Sequence, residues 1–258
     1  MKLLNLKNII IKSVFATCFL LCVILTKTID ASSTKYYIKD YDIDATIMKN
    51  GDIHIEEKLQ YDFDEDMNGV FRNILYKYNF KEQKSDLEAT SSRYQADNVG
   101  NIEVYTSESS FSNMEKANLK EASFLSNGMN GLYSVTPKSN NGFSKEIKVY
   151  TQVKSGQSKY VKYIFDVKNA AVKYNDMGEI YWNFIGGDWN CDIAHLKVKI
   201  NFEGKVDGAS SRVYPHSYAN IVNNQDISKM EFEANNIEEG TAVDARVLFP
   251  KEAIMRNF

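Results

Sequence analysis

Between Tyr36 and Phe63, apolar and polar residues alternate with a period of two, and no other feature of the chain restricts its fold as much. Tyr41, Ile43, Ala45 and Ile47 share one side of an extended segment, while Asp40, Asp42, Asp44 and Thr46 share the other. Past Asn50-Gly51 the pattern resumes with Ile53, Ile55, Leu59, Tyr61 and Phe63. A helix would scatter these residues around its circumference, so they read as two half-buried strands joined by a hairpin. A two-residue Asn-Gly loop would set Ile47 opposite His54 and put apolar residues on opposite faces. A three-residue loop of Lys49-Asn50-Gly51 pairs Ile47 with Ile53 and Ala45 with Ile55. A one-residue slip exposes a whole apolar face, so the second register is expected, with a type I turn and Gly51 left-handed at a bulge.

The alternation returns later in the chain. Ile147, Val149 and Thr151 share a face, as do Val161, Tyr163, Phe165 and Val167. Ile180, Trp182 and Phe184 lie on one side of "EIYWNFI" before Gly186-Gly187 breaks the strand. Leu196, Val198, Ile200 and Phe202 line the next strand, opposite Lys197 and Lys199, and a last strand in 241–250 ends before Pro250. Residues 81–146 are poorer in apolar periodicity and read as a loop-rich excursion. That excursion holds a strand at 101–107, one short helix at 113–125 and one strand among the turn residues of 126–145. Many short strands with little helix imply a single all-β domain over 36–253. Its expected form is an antiparallel β-sandwich of roughly immunoglobulin-like type, with at most one or two short helices.

Residues 1–31 stand outside this pattern. Lys2, Lys7 and Lys12 precede an apolar run from Val14 to Leu25. The run is shorter than the roughly 18 residues of a membrane span. With the small Ala31 it reads as a signal peptide, and Ile29 beside the cleavage point keeps an uncleaved anchor as the alternative. The net charge of −3 becomes −6 once the leader's four lysines and one aspartate are removed. A mildly acidic chain with no basic cluster argues against nucleic acid and against an anionic membrane surface as partner. Cys18 and Cys22 fall in the leader, so Cys191 remains alone and the core must hold without a disulfide.

Residues suited to chemistry are few. Cys191 and His195 are a tempting thiol–imidazole pair. On a single strand both would share the polar face of Lys197 and Lys199, separated by about 13 Å. Three scattered histidines, with His54 in the first hairpin and His216 in a loop after Pro215, show no metal-ligand spacing. Asp62, Asp64 and Asp66 hint at a calcium loop, but Gly69 falls off the required glycine position and Asn73 stands where glutamate is needed. Glu56 and Glu57 point to opposite faces, and Glu57 is expected at a sheet edge or beside a basic residue. No catalytic residue, metal site or cofactor follows. Trp182 reads as core, where burying an indole contributes about 2–3 kcal/mol. Trp189 also leans to core; exposed beside Asp188 in a groove, it would instead stack on sugar rings.

Two stretches carry a family likeness. "YIKDYDIDATIMKNGDIHIEEKLQYDFDEDMNGVFRNI" (37–74) resembles the opening of predicted membrane proteins grouped as domain of unknown function 2207. The shared features are a strand, an Asn-Gly turn, an acidic strand, and a Gly-x-x-Arg-x-Ile step from Gly69 to Ile74. "YIFDVKNAAVKYNDMGEIYWNFIGGDWNCDI" (163–193) is similar to that family's second signature, and "RVLFPKEAI" to its end. The chain departs at Leu75, where proline is usual. It also stops at Phe258, where members typically continue into transmembrane helices, so a shortened secreted version or a fragment lacking its anchor is expected. The resemblance implies an extracytoplasmic domain of a bacterial envelope protein, at the cell surface or secreted, and assigns no reaction. Gly51, Gly69, Arg72, Trp182, Gly186, Gly187 and Trp189 form its structural signature. The leading expectation is a non-enzymatic sensor or interaction ectodomain for an unidentified envelope or extracellular partner, with Trp189, Asp188 and Arg72 as candidate interaction residues. The alternatives are a glycan-binding module using Trp189 and Asp188, or a Cys191-dependent cell-wall hydrolase.

Overall fold

A computed structural model describes residues 35–78, 96–139, 142–217, 220–222 and 229–255. The leader expected at 1–31 lies outside the described residues. The opening hairpin has the register that its apolar faces require. β1 (Tyr36–Ile47) and β2 (Ile53–Phe63) run antiparallel with Ile47 opposite Ile53 and Ala45 opposite Ile55. Gly51 takes φ +84°, and its N–H donates to the Met48 carbonyl at 2.9 Å to close the turn.

After the acidic turn comes β3 (Met67–Tyr78), followed by β4 (Asn98–Ser107). Two-residue strands β5 (Glu115–Lys116) and β6 (Asn118–Leu119) lead to β7 (Leu132–Lys138) and β8 (Gly142–Val153). Then come β9 (Ser158–Lys168), β10 (Val172–Lys173), β11 (Met177–Ile185) and β12 (Ile193–Phe202). The chain closes with β13 (Arg212–Ser217), β14 (Asn220–Ile221), β15 (Glu231–Ile237) and β16 (Val243–Pro250).

These strands form one open eight-stranded sheet, β14-β15-β12-β1-β2-β9-β4-β5, and two four-stranded sheets, β10-β11-β16-β13 and β3-β8-β7-β6. Both small sheets turn apolar side chains into the core of the large one. Phe184 of β11 packs edge-on against Phe232 of β15 at 5.9 Å, and Tyr133 of β7 donates its hydroxyl to the Ile102 carbonyl of β4 at 2.8 Å. The result is a sandwich with one continuous layer and one divided layer. Pairing is antiparallel except for β6–β7 and β1–β12, the latter in the middle of the large sheet. Periodicity alone does not reveal such a crossover, because strand direction leaves the alternation unchanged.

The excursion is more regular than its composition suggests. β4 adds to the large sheet beside β9, and β7 pairs with β8. The helix expected at 113–125 does not form. Short 3₁₀ turns at Phe111–Asn113 and Ala122–Phe124 flank β5 and β6 instead. Leu119 and Phe124 are 58% and 72% exposed, so no packed face supports a helix whose own propensity is marginal at that length.

Candidate functional site: a cleft over β3

The site starts from two charged residues in apolar company. Alternation places Glu57 between Ile55 and Leu59 on the inner face of β2, and Arg72 between Val70 and Ile74 on the inner face of β3. Each alone would be a charge stranded in the core. They face one another instead. Arg72 donates from Nε to Glu57 Oε2 at 2.8 Å and from Nη2 to Oε1 at 2.7 Å, a bidentate pair shut off from solvent. The remaining donors reach the Asn73 carbonyl at 2.7 Å and the Phe184 carbonyl at 3.2 Å. One guanidinium thus ties β3 to β2 of the large sheet and to β11 of the other small sheet. Burial works against its charge, but Glu57 holds Arg72 protonated well above its usual range. Its carbon lies 5.7 Å from the ring centroid of Trp189.

On the other face of β3, every second residue looks outward. Phe71, Asn73 and Leu75 form one side of a floor, with Glu146 opposite Asn73 and Ser144 opposite Leu75 on β8, and Lys138 beside Ser144 on β7. The loop after β11 supplies a wall of Asp188, Trp189 and Asn190, with Tyr36 behind it. Asn73 Nδ2 donates to Asp188 Oδ2 at 2.6 Å, and Tyr36 donates its hydroxyl to Asn190 Oδ1 at 3.0 Å, which fastens wall to floor and to β1. Lys138 Nζ lies 3.1 Å from Glu146 Oε1. The cleft so enclosed has a volume of about 750 Å³.

The two signature stretches therefore meet. Arg72, Asp188 and Trp189 gather around Asn73, while Gly51 lies at the hairpin tip and Trp182 is buried in β11 opposite Ala245. Gly69 sits at a break in the β3–β8 register, where a Cβ would overlap the Val149 carbonyl oxygen. Trp189 is only 7% exposed, which confirms it as core and removes the exposed ring that a glycan reading built on Trp189 needs. Arg72 is likewise buried, with its donors committed inside the protein.

Two expectations need correction. Cys191 does not share the polar face of Lys197; it is 1% exposed. Between Ile193 and Leu196 the buried phase of β12 shifts by one, as it does in the neighbouring β1 at the irregularity between Ile38 and Asp40. Extrapolating period two back from Lys197 crosses that slip. The outcome for the thiol–imidazole pair is the same, since His195 stands beside Asp40 at 3.5 Å on the outer side. Desolvation pushes the Cys191 thiol up to about 12, with Asp192 and Glu239 adding to the rise. An activated thiolate requires the opposite shift. His216 lies within β13 rather than in a loop, its strand paired across to β16. Glu57 takes the basic partner foreseen for it, and not a sheet edge, because β2 lies between β1 and β9. Sequence reading missed the cleft floor, although Phe71, Asn73 and Leu75 already alternate with the signature Arg72.

Fold and site together define an all-β sandwich domain with a cleft along one of its small sheets. Residues 37–249 match one family model, and the chain belongs to that family, described as predicted membrane protein (DUF2207), N-terminal domain. No described helix is long and apolar enough to cross a membrane. No curated protein matches the chain. Among solved structures, a candidate protease from Parabacteroides distasonis is similar at 11% identity and TM-score 0.41, covering 84% of this chain and 41% of its own. A candidate nutrient-binding protein from Legionella pneumophila is similar at 8% identity and TM-score 0.46, covering 83% and 67%. An M1 zinc metallopeptidase from Deinococcus radiodurans is similar at 7% identity and TM-score 0.35, covering 82% and 42%. This chain thus spans well under half of the Parabacteroides and Deinococcus chains, and likenesses so distant carry no argument about what it does.

Proposed function

We propose that this chain is the exported, non-enzymatic ectodomain of a bacterial envelope membrane protein, and that it serves interaction or sensing through the cleft over β3. What supports the reading is the convergence of both signature stretches on that cleft. Buried Arg72 and the Asn73–Asp188 bond hold its walls. The reactive candidates lie elsewhere or are deactivated, Cys191 by burial and His195 by its position on the outer side of the large sheet. A partly polar concavity of this size falls in the range of about 300–1,000 Å³ used for small-ligand recognition.

The orientation is tested by Leu119→Cys in the full chain. Leu119 is 58% exposed, whereas the native Cys191 is buried and contributes little background, and Cys18→Ser and Cys22→Ser remove the leader thiols. Labelling of intact cells by a membrane-impermeant maleimide is expected to match labelling of lysed cells. Labelling that occurs only after lysis would place the domain inside the cell and end this reading.

A further inference from the structure

Phe71 stands outside the apolar core. It projects from β3 at the cleft and is 47% exposed, although its neighbours Val70 and Arg72 are buried. The charges around it restrict what it could meet. Lys148 Nζ already lies 5.3 Å from the Phe71 ring centroid, and the Arg72 guanidinium 5.7 Å from that of Trp189. A cationic guest would therefore meet the positive charge of Lys148 and Arg72 at both rings and be repelled, whereas a neutral guest can still stack on the exposed part of Phe71. An anionic guest would meet the carboxylates of Glu146 and Asp188, with Lys138 already paired to Glu146. A wholly apolar guest would strip water from Asp188, Glu146 and Lys138 without replacing the lost hydrogen bonds. The guest that fits all three conditions is neutral, apolar on its faces and rich in hydroxyl groups at its edges. Two further polar atoms of the lining residues, Asn73 Oδ1 and Trp189 Nε1, have no hydrogen-bond partner within the protein. Buried polar atoms are rarely left so, and small movements toward a hydroxylated guest would satisfy them.

We infer that the cleft binds a neutral oligosaccharide, with Phe71 as the platform for a sugar face and Glu146, Lys138 and Asp188 as partners for its hydroxyls. This rests on the cleft being the interaction site, but replaces buried Trp189 with exposed Phe71 as the stacking residue. The Glu146 and Asp188 carboxylates accept from sugar hydroxyl groups and the Lys138 ammonium donates to them, without a change of charge.

The test titrates the full chain with triacetylchitotriose, cellotriose and maltotriose, followed by calorimetry and ligand-observed NMR. At least one is expected to bind with a Kd of about 1 mM or tighter, typical of small ligands held by few contacts. Phe71→Ala and Glu146→Gln should each weaken that binding roughly tenfold or more. Tyr105→Ala, on the outer face of the large sheet, should leave it unchanged. Absence of binding by all three sugars overturns the inference, as does binding that survives both cleft variants. A pentalysine or polyphosphate probe whose binding is lost with Phe71→Ala would also overturn it, while leaving the cleft as the interaction site.

Discussion

At the residue scale, the Arg72–Glu57 pair links β3 of a small sheet to β2 of the large one inside the core. Removing one partner of a buried ion pair leaves an uncompensated charge and costs about 3–5 kcal/mol. Glu57→Leu is therefore expected to lower the urea midpoint sharply. Glu57→Leu combined with Arg72→Met removes both charges, so its loss should be well below the sum of the two single losses. Additive losses would mean that the pair is not coupled as its bidentate geometry requires. Cys191 makes a separate, pH-dependent contribution. Burial pushes its thiol up from the ordinary 9.0 to about 12. Above pH 9 the unfolded chain therefore releases this proton first, and stability falls as pH rises from about 9 toward about 12. Tyr41 and Tyr61, raised by burial above their ordinary 10.0, act in the same direction from pH 10 upward. Urea midpoints measured from pH 7 to pH 11 should be level to about 9 and then decline; a midpoint that rises in that interval would contradict the assignment.

At the element scale, the two glycines that set strand geometry should differ in cost. Gly51→Ala forces a left-handed conformation on a side-chain-bearing residue, a penalty of about 1–2 kcal/mol. Gly69→Ala adds a collision with the Val149 backbone, which cannot rotate away, so its urea midpoint should fall further than that of Gly51→Ala. Equal midpoints would show that β3 can shift on β8. The legibility of the elements follows the same physics. The hairpin register was readable because Ile47, Ile53, Ala45 and Ile55 must share a face, and each strand with one wet side announced itself by period two. The helix expected at 113–125 falls on a stretch where Leu119 and Phe124 face water and only Ala117 is buried, so local pattern had little packing to report. The face assigned to Cys191 failed because an irregularity at β1 and β12 shifts the phase without any glycine or proline to mark it. The cleft floor at Phe71, Asn73 and Leu75 was hidden for a related reason. Alternation says which residues point outward, but not that the loop from Asp188 to Asn190 comes back to stand over them.

At the scale of the whole molecule, the parallel pairing of β1 with β12 joins the first strand to one far along the chain at the centre of the large sheet. Tyr36 and Asn190 share a hydrogen bond across 154 residues of chain. The strands at the centre of the large sheet are paired on both sides and buried, so they are expected to open only with global unfolding. β1, β2 and β9 are paired on both edges and covered on their inner face by both small sheets. The segment from Phe111 to Gly131 has only two-residue strands and exposes Leu119 and Phe124. Native-state hydrogen exchange is expected to show amides of β1, β2 and β9 exchanging last and together, with protection that rises and falls with global stability as urea is added. Amides of 111–131 should exchange first and be insensitive to low urea. If β1 and β12 were to exchange well ahead of β2 and β9, the sheet would be opening along its parallel seam. The cleft wall after β11, which leads directly into β12, would then be a moving part instead of the fixed partner of β3 assumed for ligand recognition.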